Sequence, residues 1–183
     1  MHYANCSTFN ADFDGDEINL HLPQDHAARA EAYGLVSADA QFCVPTDGKP
    51  LRGLIQDHVV AGTLLTSRDT LLPRARYASL VLEAVGADAA GSGDVWLDGP
   101  TVLRPQALWT GKQVITAVLM HYARDSLPLS FQTATKTPLA AWGAGSGEGQ
   151  LIVQRGHLVA GILDKHAFGK HGMLHLVHEL YGP

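Results

Sequence analysis

The stretch Asn10-Ala11-Asp12-Phe13-Asp14-Gly15-Asp16, followed by EINLHLPQ at 17–24, decides the reading of this chain. Its three carboxylates stand at i, i+2 and i+4. On a straight strand they would share one face, with the outer two about 13–14 Å apart. A single small cation needs its ligand oxygens about 3 Å from one another. The aspartates can therefore serve one ion only if the backbone curls, and Gly15 permits such a turn. Ligands that are all anionic oxygens match Mg²⁺ or Mn²⁺, with positions left for water or phosphate. An acidic surface loop would also explain three nearby aspartates. A calcium loop fits less well. Counted from Asn10, the twelfth position is His21 instead of a bidentate glutamate; counted from Asp12, the sixth is Glu17 and the twelfth Pro23.

Outward from the loop, Ile18, Leu20 and Leu22 alternate with Asn19 and His21. That period predicts a half-buried strand stopped by Pro23, and residues 1–24 read as extended. Asp25 is placed to cap a helix over 26–35. Asp47-Gly48 between two apolar stretches predicts a short hairpin around 46–49. Helical spacing follows over 55–65, 77–85, 110–122 and 174–181. The hairpin signal returns over 150–163, around Arg155-Gly156. Gly86–Pro100 reads as a surface loop, and the glycine-rich run 143–149 as a mobile linker. The pattern lacks a regular βαβ rhythm, so the fold class expected is α+β.

Composition narrows the function classes. The 183 residues include 13 Lys and Arg against 18 Asp and Glu, a net charge of −5, and 46% are hydrophobic. Disorder is excluded for most of the chain, and no large basic patch is expected. No apolar run approaches the length of a membrane span. The opening MHYANC has neither a basic nor an apolar leader region, so no secretory signal is expected. Cys6 and Cys43 lack metal-binding spacing and read as two reduced thiols. Gly111-Lys112 lacks the first glycine and the Ser/Thr of a phosphate loop. His171, His175 and His178 share one side of the last helix and read as a solvated or partly packed face. Trp96, Trp109 and Trp142 read as packing residues.

Taken together, NADFDGD and EINLHLPQ resemble the metal-binding signature of the largest subunit of multisubunit RNA polymerases. PTDGKPLRGLIQDHVVAG (45–62) is similar to the stretch after that family's catalytic loop, and WTGKQV (109–114) to a later segment. MHYANC, DHVVAG, LVAGILDKHAFG and LVHELYG are most like RNA polymerase I, which transcribes ribosomal RNA in eukaryotes. The resemblance spans nearly all of the chain except the loops at 86–100 and 123–149, and Ile18 stands where the family usually has Met.

The resemblance implies a partial double-psi β-barrel segment with its metal-binding loop over residues 1–71. A mixed α/β pore or funnel domain would follow over residues 72–183. It implies that Asp12, Asp14 and Asp16 are catalytic and hold a resident Mg²⁺, with a second Mg²⁺ arriving with the nucleoside triphosphate. Asn10 would lie near the sugar hydroxyls, or serve the loop's structure. The partners implied are the second-largest polymerase subunit, other polymerase subunits, template DNA, nascent RNA and NTP, without a membrane. The location implied is the nucleus, and within it the nucleolus. The rival class is a non-catalytic structural module that binds a divalent cation.

Overall fold

The amino terminus is helical where the sequence predicts an extended chain. A 3₁₀ turn at Tyr3–Asn5 runs into a short helix, α1 (Cys6–Phe9), anchored by the fully buried Cys6. The computed structural model describes residues 1–92, 95–143, 145–169 and 171–182. The expected strand is also absent. Residues 16–24 run irregularly, and Ile18, Leu20 and Leu22 are 66%, 99% and 81% exposed. Alternation marks which face seeks burial, but a half-buried strand forms only against a partner. Among the described residues none pairs with this segment.

Asp25 stands at the N-cap position of α2 (His26–Gly34), but its side chain makes none of the expected capping hydrogen bonds. The Asp47-Gly48 turn closes a minimal hairpin, bridged at Cys43 and Pro50, with the Val44 N–H donating to the Lys49 carbonyl at 2.8 Å. Helix α3 (Asp57–Thr66) follows. Strand β1 (Leu71–Pro73) leads into α4 (Arg74–Ser92), which runs on past a non-helical Gly86. The expected surface loop at 86–100 is thus helical in its first part; residues 93 and 94 lie outside the described residues. Strand β2 (Leu108–Thr110) pairs antiparallel with β1, setting Leu72 opposite Trp109.

Helix α5 (Gly111–Tyr122) joins the two halves of the core. Its start is fixed by a capping box. The Thr110 hydroxyl accepts the Gln113 N–H, while the Gln113 carboxamide oxygen accepts the Thr110 N–H at 2.9 Å. One face, Val114 and Ala117, packs with Tyr77, Val81 and Val85 of α4 and with Trp109. The other, around Leu119, joins a cluster containing Leu129, Leu151, Val153, Leu158, Leu163 and Phe168. Each such apolar side chain contributes about 1.5–3 kcal/mol when fully buried.

The second cluster rests on an antiparallel sheet of β3 (Phe131–Ala134), β4 (Gln150–Gln154) and β5 (His157–Ala160), in that order. Phe131 stands opposite Val153, and Val153 opposite Leu158. The hairpin around Arg155-Gly156 is as the sequence predicts, whereas β3 gave no clear signal. The Leu158 N–H donates to the Thr116 hydroxyl at 3.0 Å, tying the sheet to α5. Asp164 caps α6 (Lys165–Phe168), and α7 (Met173–Tyr181) closes the described chain. Thr66, fully buried, donates to the Gly62 carbonyl at 2.7 Å and accepts the Leu163 N–H at 2.8 Å.

Helices and short antiparallel strands thus make an α+β fold, as expected. Among the described residues, no helix is long and apolar enough to cross a membrane. The glycine-rich run is no free linker. Ser146 and Glu148 are buried, and 147–149 form a 3₁₀ turn; residue 144 lies outside the described residues.

Candidate metal centre

Helix α1 ends at Asn10, which takes a left-handed conformation (φ 49°, ψ 38°). Asparagine tolerates that region better than most side chains, so this residue has a clear structural task. The Ala11 N–H closes onto the Cys6 carbonyl at 3.0 Å, and the chain then leaves the helix as a tight loop. Gly15, at φ 123°, takes a conformation open to glycine and strained for other residues.

The loop curls toward the arrangement a shared ion requires, without closing all three oxygens to the roughly 3 Å spacing of bound ligands. Each of Asp12, Asp14 and Asp16 offers an oxygen within 4.8 Å of the others, far closer than a straight strand permits. The Asp12 N–H donates to Asp16 Oδ2 at 3.1 Å and holds the two ends of the triad together. All three side chains are exposed. The Asp14 carboxyl is held above its ordinary value, first by a side-chain hydrogen bond with Asp12 and next by the Asp12 charge. Slight desolvation and the Asp16 charge act in the same direction, and a backbone hydrogen bond opposes them. Crowded carboxylates share a proton where a cation is lacking. An all-oxygen, anionic and solvent-open donor set fits Mg²⁺ or Mn²⁺, which keep several waters. Of the predicted site residues, the three aspartates converge, and Asn10 sits at the turn that delivers them.

Sequence reasoning missed what stands behind the loop. Phe13, between Asp12 and Asp14, meets the Tyr3 ring edge-on with centroids 5.1 Å apart. The Tyr3 hydroxyl donates to Asp57 Oδ2 at 2.6 Å, at the first turn of α3, and its ring lies 4.8 Å from that of His58. His2 adds a further ring contact with His58. Period-2 alternation could have flagged Phe13, since a residue between two ligands points to the opposite face.

Residues 41–183 match the family described as RNA polymerase Rpb1, domain 3, and residues 1–38 match RNA polymerase Rpb1, domain 2. The whole chain is 47% identical over 187 residues to DNA-directed RNA polymerase I subunit rpa1 of Schizosaccharomyces pombe, covering 11% of that protein. It is 38% identical over 222 residues to DNA-directed RNA polymerase I subunit 1 of Arabidopsis thaliana, covering 13%. Ninety per cent of the chain is 37% identical over 171 residues to the human DNA-directed RNA polymerase III subunit RPC1, covering 12% of it. The chain thus spans about an eighth or less of the length of these curated relatives.

Proposed function

The chain belongs to the RNA polymerase Rpb1 family, and from that premise we propose that it carries the catalytic metal loop of an RNA polymerase I largest subunit. The observation that carries the reading is the convergence of Asp12, Asp14 and Asp16 within 4.8 Å. The polymerase I relatives, matched over the whole chain, favour ribosomal RNA as the product and the nucleolus as the location. The activity belongs to an assembly with the second-largest and other subunits, acting on template DNA, nascent RNA and NTP. The same proposal divides the chain into a barrel portion over 1–71 and a pore-like portion over 72–183.

Asp12, Asp14 and Asp16, each with a carboxylate oxygen to offer, are the residues that would hold the resident ion. When bound, Mg²⁺ lowers the pKa of the RNA 3′-hydroxyl and neutralises charge on the incoming triphosphate, a second ion arriving with the nucleotide. Asp14 is the middle carboxylate, flanked in the triad by Asp12 and Asp16. The Asp12 N–H keeps Asp16 turned toward the other two. Asn10 begins the loop and is the candidate contact to the sugar hydroxyls.

Primer extension on a nucleic-acid scaffold by the complete polymerase tests this reading. Asp14→Ala is expected to abolish extension in Mg²⁺ while leaving assembly intact, because a displacement of about 1 Å can cost on the order of a hundredfold. Mn²⁺ is expected to restore part of any residual activity. Extension at the wild-type rate would leave the loop as a structural module.

A further inference from the structure

Two observations bear on how the aspartate loop is held. The first is its thin attachment. Phe13 is 56% exposed, and its ring meets Tyr3, which is half-buried. The second is that Tyr3 is fixed from the far side. Its hydroxyl donates to Asp57 at 2.6 Å, and its ring touches His58, so the start of α3 grips it at two points. The grip has an unusual backbone beneath it. Gln56, immediately before α3, has φ 51° and ψ −122°, a conformation that is costly for a residue with a side chain. It sets the direction in which Asp57 and His58 leave the helix start.

We propose that Tyr3 is a positioning residue for the metal loop, registering Phe13, and with it Asp12 and Asp14, against the amino end of α3. The proposal rests on the loop being the metal site. Tyr3 makes no contact with a reacting atom. It acts through Phe13, whose neighbours on both sides are ligands, so a shift of the ring carries both carboxylates with it. Asp57 is suited to hold the hydroxyl because its carboxylate sits in the first turn of a helix, where negative charge is favoured. Charge-assisted hydrogen bonds of this kind are short and directional. Consistent with the geometry, the Tyr3 hydroxyl holds its proton above the ordinary value, chiefly through that hydrogen bond.

The test uses the assembled polymerase with Tyr3→Phe, Tyr3→Ala, Asp57→Asn and Asp14→Ala. Two quantities are measured for each: the Mg²⁺ concentration giving half-maximal primer extension, and chain cleavage around residues 12–16 by Fe²⁺ with ascorbate and peroxide. Tyr3→Phe keeps the ring and loses the hydrogen bond, so half-saturation is expected to rise roughly fivefold. Tyr3→Ala loses both and is expected to raise it further, with weaker iron-directed cleavage. Asp57→Asn keeps an acceptor oxygen but loses the charge, so its half-saturation is expected to fall between those of wild type and Tyr3→Phe.

A merely structural role lowers the rate equally at every Mg²⁺ concentration and leaves half-saturation and cleavage unchanged. That result in Tyr3→Phe would overturn the proposal, and it remains decisive if Tyr3→Ala fails to assemble. Asp14→Ala separates the two levels of inference. Wild-type extension and cleavage in that variant would overturn the metal site itself, whatever the tyrosine variants do.

Discussion

The Lys112 ammonium lies 2.9 Å and 3.1 Å from the two oxygens of Glu148, with the side chains only 13% and 6% exposed. The same ammonium donates to the Thr66 carbonyl. Lys112 stands in the first turn of α5, where the helix dipole disfavours a cation. Glu148 offsets that cost and in return pins the glycine-rich segment to the junction of α3 and α5.

Removing one partner of this pair leaves a charge without water or counter-ion, a loss of about 3–5 kcal/mol in such settings. Lys112→Met and Glu148→Leu are each expected to speed amide exchange over residues 146–150, and the double variant to speed it less than either. Equal exchange in all four proteins would mean that backbone bonds hold the segment, such as the Thr135 N–H to the Gly149 carbonyl at 3.1 Å.

Gly111 sits where a Cβ would fall 1.8 Å from the Leu65 carbonyl oxygen. Backbone cannot rotate away as a side chain can, so Gly111→Ala must push α5 off α3. A cost of about 1–3 kcal/mol is expected, in the range of overpacked cores. Urea unfolding followed by far-UV circular dichroism measures it. An unchanged midpoint would show that the two helices separate freely.

Tyr77 holds its proton above the ordinary value of 10.0, first because of burial; the Asp98 charge adds to this, and a hydrogen bond from the Asp98 N–H opposes it. The folded state then binds the phenolic proton more tightly than the unfolded chain. The associated stability is fully present below pH 10 and declines as pH rises through the folded value. Tyr77→Phe is expected to be less stable at neutral pH by about 1 kcal/mol, having lost its hydrogen bond. It is also expected to show a flatter decline above pH 10, with Tyr3 supplying a remaining slope. Thermal melts between pH 8 and about 11 compare the two slopes, and parallel curves would remove Tyr77 as the cause.

Local signals in the sequence were legible where the physics is local. Asp12, Asp14, Asp16 and Gly15 carry the donor set and the turn within five positions, and α5 shows its periodicity within three turns. The failures have a common physical origin. Ile18, Leu20 and Leu22 announce a face but not what covers it. Tyr3 and Asp57 are 54 positions apart, and neither residue type signals the other. Glu148 was hidden by its glycine neighbours, which suggested mobility, while its partner lies 36 positions earlier. The helical turn at Cys6–Phe9 is too short to show a period, and it forms around the burial of Cys6.

The hydrogen bond from the Leu163 N–H to Thr66 joins positions 97 apart. During synthesis at about 5–20 residues per second, the ribosome takes roughly 5–20 s to add the intervening chain. For that interval the Thr66 hydroxyl can bond the Gly62 carbonyl within α3 but has no Leu163 N–H to accept. The seam between α3 and the segment before α6 is therefore a late event in synthesis, closed only after β3, β4 and β5 have been made.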